Sequence, residues 1–158
     1  MEMGFNLRYS IATLLFELAT VAGLGEYVIF GSTALRARNI ITRTPDDIDV
    51  IVTRRVWGAL LGRGEWRVET PNAGDPPILT LDTPHPLHLF FDWRDDAVYI
   101  DPMYLLVTAE HALDLRVATV EEVLRHKRAA YACIETNPSV AKHLPDIEAC
   151  VAWLEARS

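Results

Sequence analysis

Phe30-Gly31-Ser32 and, after an interval of fourteen residues, Asp47-Ile48-Asp49-Val50 are the segments that decide the fold. Residues 26–30 are rich in β-branched and aromatic side chains, and residues 33–38 favour a helix. The pattern therefore predicts a strand, a tight turn and the start of a helix. A glycine and a hydroxyl at such a turn expose backbone N–H groups, which suits a phosphate.

The two aspartates carry the second half of the motif. Asp47 and Asp49 lie two residues apart on a predicted strand, so their side chains project from the same face. Like charges at this spacing repel each other unless a cation neutralises them, and carboxylate oxygens suit Mg²⁺. A phosphate site beside paired carboxylates predicts a metal-bound nucleoside triphosphate.

These two segments resemble the signature of the polymerase-β-like nucleotidyltransferases, hydrophobic-Gly-Gly/Ser followed by Asp-hydrophobic-Asp/Glu-hydrophobic. The chain is most similar to a minimal bacterial branch that includes AbiEii-type toxins and aminoglycoside nucleotidyltransferase-like proteins. Residues 115–130 resemble the family segment that ends in a lysine-bearing helix, and residues 142–147 resemble a later Lys-Asp-x-x-Asp-Ile element. The similarity covers about residues 27–153, although the middle strands match only in pattern.

The resemblance implies a role for each matched residue. Gly31 and Ser32 would hold the β- and γ-phosphates. Asp47 and Asp49 would bind two Mg²⁺ ions, or Mn²⁺ in their place, and Asp92 would be the third carboxylate, which orients or deprotonates the acceptor hydroxyl.

Further nucleotide contacts and one departure from the family follow from the same comparison. Lys127 would reach the triphosphate, and Arg43 flanks the phosphate site. His143 stands where the family has the first aspartate of its later element, while Lys142 and Asp146 keep their register and suggest a lysine–carboxylate contact. Of the other histidines, His85, His88 and His111 show no metal-ligand spacing, and His126 is expected on the surface of its helix.

Composition sets the class of protein. The 158 residues include 15 basic and 22 acidic side chains, a net charge of −7, which argues against a protein that coats nucleic acid by bulk charge. Two cysteines form no disulfide framework, and no signal or membrane-spanning segment is apparent. We therefore expect a soluble, cytoplasmic protein without a membrane partner.

The expected architecture is an α/β (α+β) fold, a nucleotidyltransferase-like mixed sheet flanked by helices. We expect one domain over 1–158, with a core at about 26–101 and a C-terminal helical part at about 102–158. The predicted helices are 8–22, 33–38, 54–61, 120–134 and 145–156. The predicted strands are 26–30, 47–53, 66–69, 78–81, 87–93 and 98–100.

The expected activity is Mg²⁺-dependent transfer of a nucleoside monophosphate from a nucleoside triphosphate to an acceptor. The acceptor would be a tRNA end, a protein side chain or a small hydroxyl compound such as an aminoglycoside. Residues 33–67 carry seven basic and four acidic side chains, which favours RNA, whereas residues 68–122 carry two basic and eleven acidic ones, which favours a polycation. The alternative is a non-catalytic nucleotide-binding module or a toxin–antitoxin partner, for which an antitoxin protein would be the ligand.

Overall fold

The computed structural model describes residues 4–21, 26–70, 76–94 and 99–158. The helices are α1 (Phe5–Thr20), α2 (Gly31–Ala37), α3 (Arg54–Leu61), α4 (Pro102–Thr108), α5 (Val120–Tyr131) and α6 (Leu144–Glu155), with a 3-10 helix at Pro138–His143. The strands are β1 (Tyr27–Phe30), β2 (Ile48–Val52), β3 (Arg67–Glu69), β4 (Ile78–Leu81), β5 (Leu87–Phe90), β6 (Trp93–Arg94), β7 (Tyr99–Ile100), β8 (Glu110–Ala112) and β9 (Leu115–Val117).

A seven-stranded mixed sheet forms the centre of the molecule. Its strand order is β3-β4-β5-β2-β1-β9-β8, while β6 and β7 pair in a separate hairpin. The sheet is antiparallel between β1 and β2 but parallel between β2 and β5 and between β1 and β9. Helices flank this mixed sheet, so the predicted fold class is confirmed.

The β1–α2–β2 unit follows the sequence closely. Every residue of β1 is buried, and so are four of the five residues of β2, because both strands lie in the middle of the sheet. Pairing places Phe30 opposite Asp49 across β1 and β2, and Asp49 opposite His88 across β2 and β5. The turn at Gly31 therefore lies beside the aspartate strand.

The C-terminal part differs from the prediction. Residues 102–158 were expected to be helical, but β8 and β9 lie within them and complete one side of the sheet. Ile29 pairs with Val117, and the N–H of Ala118 donates to the carbonyl of Ile29 at 2.9 Å. Two strands of three residues leave too little alternation to reveal them without their partners.

The other differences are at element ends. The strand predicted at 87–93 ends at Phe90, and the helix predicted at 120–134 ends at Tyr131. Val98, the first residue of a predicted strand, lies outside the described residues. Thr119 caps α5: its hydroxyl accepts a hydrogen bond from the N–H of Glu122 at 3.2 Å.

Helices α5 and α6 position the C-terminal polar residues. They pack against each other, and α5 also contacts α2, so the end of β1 faces the side chains of α5. No helix in the described ranges is long and apolar enough to cross a membrane.

Candidate active site

Gly31, which directly follows β1, lies against the carboxylate of Asp49 in β2. Its φ is +64°, a left-handed conformation that favours glycine, and a Cβ on it would lie 3.1 Å from Oδ2 of Asp49. Both observations require a residue without a side chain. The missing Cβ allows the Asp49 carboxylate to rest against the turn.

Asp47, Asp49 and His88 form a compact group of possible metal ligands. One ligand atom from each lies within 4.8 Å of the others. Nδ1 of His88 is 3.5 Å from Oδ1 of Asp49 and 3.7 Å from Oδ2 of Asp47. Two carboxylates and one imidazole are a donor set that fits a divalent cation.

The charges of this group influence each other. Burial, reinforced by the charge of Asp49, raises the pKa of Asp47. The interaction with Asp49 raises the pKa of His88 despite its partial burial. The carboxylate pair thus favours any positive charge beside it, whether an imidazolium or a metal ion.

Asp92 does not join this group, which corrects the predicted ligand set. Its Oδ2 instead accepts from Nη2 of Arg54 at 2.8 Å. Asp92 lies outside β5, which ends at Phe90, and is four residues beyond His88 in the sequence. The structure thus brings His88, which sequence spacing did not single out, to the position that the prediction gave to Asp92.

A second polar cluster lies on the other side of the turn and is centred on Asp146. This carboxylate is 1% exposed, and its Oδ2 accepts from Ser32 Oγ at 2.8 Å, from Arg43 Nη2 at 2.6 Å and from Lys127 Nζ at 3.0 Å. Lys127 and Arg43 also donate to Oγ of Ser32, each at 3.1 Å. The Lys127 ammonium therefore points toward the turn, and the hydroxyl of Ser32 is already bound by protein groups.

His143 completes this cluster. Its Nδ1 is 3.3 Å from Nζ of Lys127. Burial and the charge of Lys127 lower the pKa of His143 to about 4, so the ring is neutral at pH 7 and accepts from the ammonium. The lysine–carboxylate contact expected for Lys142 and Asp146 is made by Lys127 instead.

A cavity of about 490 Å³ lies beside both clusters. Six residues predicted for the site line it: Gly31, Ser32, Arg43, Asp47, Asp49 and Lys127. Lys142 and His143 also line it, whereas Asp92 and His88 are not among its lining residues in the described ranges. The cavity is therefore lined by both carboxylates and cations.

Three solved structures share this architecture at low sequence identity. The antibiotic-resistance factor ANT(2'')-Ia in complex with adenylyl-2''-tobramycin superposes with a TM-score of 0.59 and 19% identity over 94% of this chain and 91% of that one. Its solution structure gives a TM-score of 0.59 and 20% identity over 94% and 86% of the two chains. The chain has a nucleotidyltransferase-like fold.

A Thermotoga maritima protein classed provisionally as a nucleotidyltransferase shows the same nucleotidyltransferase-like fold. Its TM-score is 0.58 with 12% identity, over 88% of this chain and 94% of that chain. No family model matches the sequence, and no curated protein matches it. Identities this low establish the fold, while the AbiEii-type assignment stays a prediction.

Proposed function

We propose that this protein transfers a nucleoside monophosphate from a nucleoside triphosphate to an acceptor hydroxyl. One observation carries the proposal: adjacent residues of a single turn connect the acidic and the basic clusters. Gly31 lies against the Asp49 carboxylate, and Ser32 is bound by Lys127 and Arg43. A triphosphate that carries a cation needs both kinds of group, side by side, at one cavity.

The basic side of the cavity suits the phosphates. The Lys127 side chain lines the cavity and forms an ion pair with Asp146. The half-exposed Arg43 also lines the cavity and pairs with the same carboxylate. Lys142 adds a third cation at the cavity wall. These point charges would bind the phosphate oxygens, and the backbone at Gly31 would allow their close approach.

The acidic side suits the metal. Asp47 and Asp49 would hold Mg²⁺ or Mn²⁺, which would neutralise the phosphate charge and stabilise the charge that develops on transfer. In the reaction the acceptor hydroxyl loses its proton, its oxygen bonds to the α-phosphorus, and the bond to pyrophosphate breaks.

Nucleoside triphosphates are made and used in the cytoplasm, where we place this activity.

A cationic small molecule is the acceptor class that the charges favour. On the sheet face that carries Asp49, Arg67 of β3 pairs with Thr80 of β4 and forms ion pairs with Glu69 and Asp82. The side chains of Glu69 and Asp82 are 39% and 74% exposed, and Arg67 is the cation between them. Together with Asp47 and Asp49 they give this face a net negative charge, which attracts amino-substituted hydroxyl compounds.

The proposal is tested by supplying each α-³²P-labelled nucleoside triphosphate with Mg²⁺ or Mn²⁺ and an acceptor. We expect label in a pool of aminoglycosides, and the tRNA and protein fractions are the other arms of the same assay. Asp49→Asn should reduce transfer by at least about 100-fold, because the developing charge loses its stabilisation. Glu148→Gln removes one exposed carboxylate of α6 and should transfer label like the parent.

Two results would count against this proposal. Label in none of the three fractions, with nucleotide still bound, would favour the non-catalytic nucleotide-binding alternative. Equal transfer by Asp49→Asn and the parent would remove the acidic pair from the reaction. Label in tRNA or in protein would support the transferase activity but with a different acceptor. The hypothesis of a toxin with an antitoxin partner would then be tested next.

A further inference from the structure

The sheet itself fixes the position of His88. In β5 it lies directly opposite Asp49 of β2 and directly opposite Thr80 of β4. Residues that face each other across paired strands project from the same side of the sheet. The imidazole therefore stands beside the carboxylate pair because of backbone register, and no loop movement is needed to bring it there.

The separations within the group suit ligands of one ion better than hydrogen bonds. The distances of 3.5 Å and 3.7 Å from Nδ1 to the two carboxylates exceed the usual hydrogen-bond length of about 2.7–3.2 Å. Two ligands that each lie about 2.0–2.2 Å from one cation are about 2.8–3.7 Å apart when the angle between them is about 90–115°. Nδ1 thus stands where a third ligand belongs.

Hydrogen bonds also order the residues of the two strands that follow β5 in the sheet, β4 and β3. Thr80 is 2% exposed, and its hydroxyl donates to Oε2 of Glu69 at 3.1 Å. Arg67 holds the same carboxylate through two donors, at 2.9 Å and 2.8 Å. These bonds hold the Thr80 hydroxyl in place, and Thr80 lies directly opposite His88 across β4 and β5.

A third carboxylate does not compete for the position. Asp92 is held by Arg54, which also stacks over the ring of Phe91 at 4.5 Å. Asp46 is adjacent to the pair in sequence and lines the cavity, but its oxygens are not among the ligand atoms that cluster within 4.8 Å. Among the described residues, the third donor of the group is a nitrogen.

We propose that His88 is the third protein ligand of the divalent cation, and that it gives the site a preference for Mn²⁺ over Mg²⁺. An imidazole nitrogen is a poor ligand for Mg²⁺, which binds oxygen, and a better one for first-row transition ions. The inference rests on the proposed function only in taking the acidic group to be a cation site. It assigns the residue that selects the metal.

The test detects the ligand directly with Mn²⁺ as the probe. Pulsed electron paramagnetic resonance of the Mn²⁺-loaded protein should show ¹⁴N coupling from one imidazole, and His88→Ala should lose it. His111→Ala is the matched control, because His111 is exposed on β8 and should leave the coupling unchanged. Mn²⁺ affinity should fall at least about tenfold in His88→Ala, as it does when a metal site loses ligand support.

A second variant tests selectivity even if His88→Ala proves unstable. His88→Asp replaces the nitrogen by a carboxylate, so the ratio of Mn²⁺ to Mg²⁺ affinity, measured by competition, should fall at least about tenfold. Absence of ¹⁴N coupling in the parent, or an unchanged ratio in His88→Asp, would overturn the inference and indicate that an imidazolium only balances the carboxylate charges.

The outcome is independent of the transfer assay. Nitrogen coupling without transfer of any nucleotide would leave the ligand assignment standing and refute the proposed function. Nucleotide transfer by a parent that shows no nitrogen coupling would refute the ligand assignment and leave the proposed function standing.

Discussion

The carboxylate of Asp49 occupies the space that a side chain at Gly31 would need. A Cβ at residue 31 would lie 3.1 Å from its Oδ2, in a backbone conformation with φ +64°. Glycine at position 31 is therefore required both by the turn and by the position of the Asp49 carboxylate. The consequences for stability and for cation binding can be separated by substitution.

Gly31→Ala is expected to lower the free energy of unfolding by about 1–3 kcal/mol, the usual cost of a left-handed conformation in a residue other than glycine. It should also weaken Mn²⁺ binding, because the methyl group displaces the Asp49 carboxylate. Urea denaturation and metal titration measure the two effects. Gly58→Ala is the control: this glycine lies in α3 with no heavy atom within 4 Å of its Cβ position, so alanine should be neutral or stabilising.

Lys127→Met is expected to lower the free energy of unfolding by about 3–5 kcal/mol, because it leaves the buried Asp146 carboxylate with one cation fewer. Nucleotide binding should weaken too, and added salt should change that loss little, since the Lys127 side chain is only 7% exposed. Denaturation and equilibrium binding at two ionic strengths provide the measurements.

Lys142→Met separates the two effects of a lysine at this cavity. Lys142 is exposed, so its loss should change the free energy of unfolding by less than about 0.5 kcal/mol. It should still reduce nucleotide affinity, and salt should diminish that reduction. Equal destabilisation by the two lysine variants would contradict the buried role of Lys127.

Asp47→Asn is expected to stabilise the cation-free protein at pH 7. Burial and Asp49 raise the pKa of Asp47, so ionisation is harder in the folded than in the unfolded state. The ionised carboxylate therefore destabilises the fold at high pH, and this effect disappears as the pH falls and Asp47 is protonated. With EDTA, the gain in melting temperature of Asp47→Asn over the parent should be larger at pH 7 than near pH 3.8, the ordinary aspartate pKa, and Mn²⁺ should raise the melting temperature of the parent alone.

Acid should destabilise the protein through His126 and His143. Burial lowers the pKa of His126 to about 3 and that of His143 to about 4, whereas both titrate near 6.5 when unfolded. Below pH 6.5 the unfolded chain binds more protons, so stability falls by up to about 1.4 kcal/mol per pH unit for each group until its folded pKa is reached. His143→Asn should flatten the slope between pH 6.5 and 4 by about one proton, and an unchanged slope would contradict the assignment.

Asp92→Asn is expected to leave Mn²⁺ binding unchanged. The pair that Asp92 forms with Arg54 lies at the surface, the Arg54 side chain being 74% exposed, so its loss should cost no more than about 1 kcal/mol. The same titration on Asp49→Asn should show no binding. Loss of Mn²⁺ binding in Asp92→Asn would restore this residue to the metal site.

Local signals predicted the parts of the site that are close in sequence. Phe30-Gly31-Ser32 and Asp47-Ile48-Asp49 each carry their meaning within a few residues, because strand alternation and turn chemistry are local properties. Lys127 was predicted from the resemblance of residues 115–130 to the family's lysine-bearing helix, a segment that is also local in sequence.

The rest of the site depends on contacts that the sequence does not record. The prediction gave the third position to Asp92, whereas the fold brings His88 of β5 to the carboxylate pair, because the register of β5 against β2 is set by pairing over a long interval of chain. The role of Asp146 depends in the same way on the packing of α6 against α5. The resemblance to the family element suggested Lys142 as its partner, and the folded chain gives it Lys127.

The Asp146 carboxylate acts as an internal anion that orders the donors at the turn. One oxygen accepts from Ser32, Arg43 and Lys127, so these donors converge on a single point in the folded protein. The rotational freedom of two long side chains is thus lost during folding, and an arriving ligand does not have to order them. Such a site should bind its substrate by rigid docking, with an association rate set by encounter and with little rearrangement afterwards.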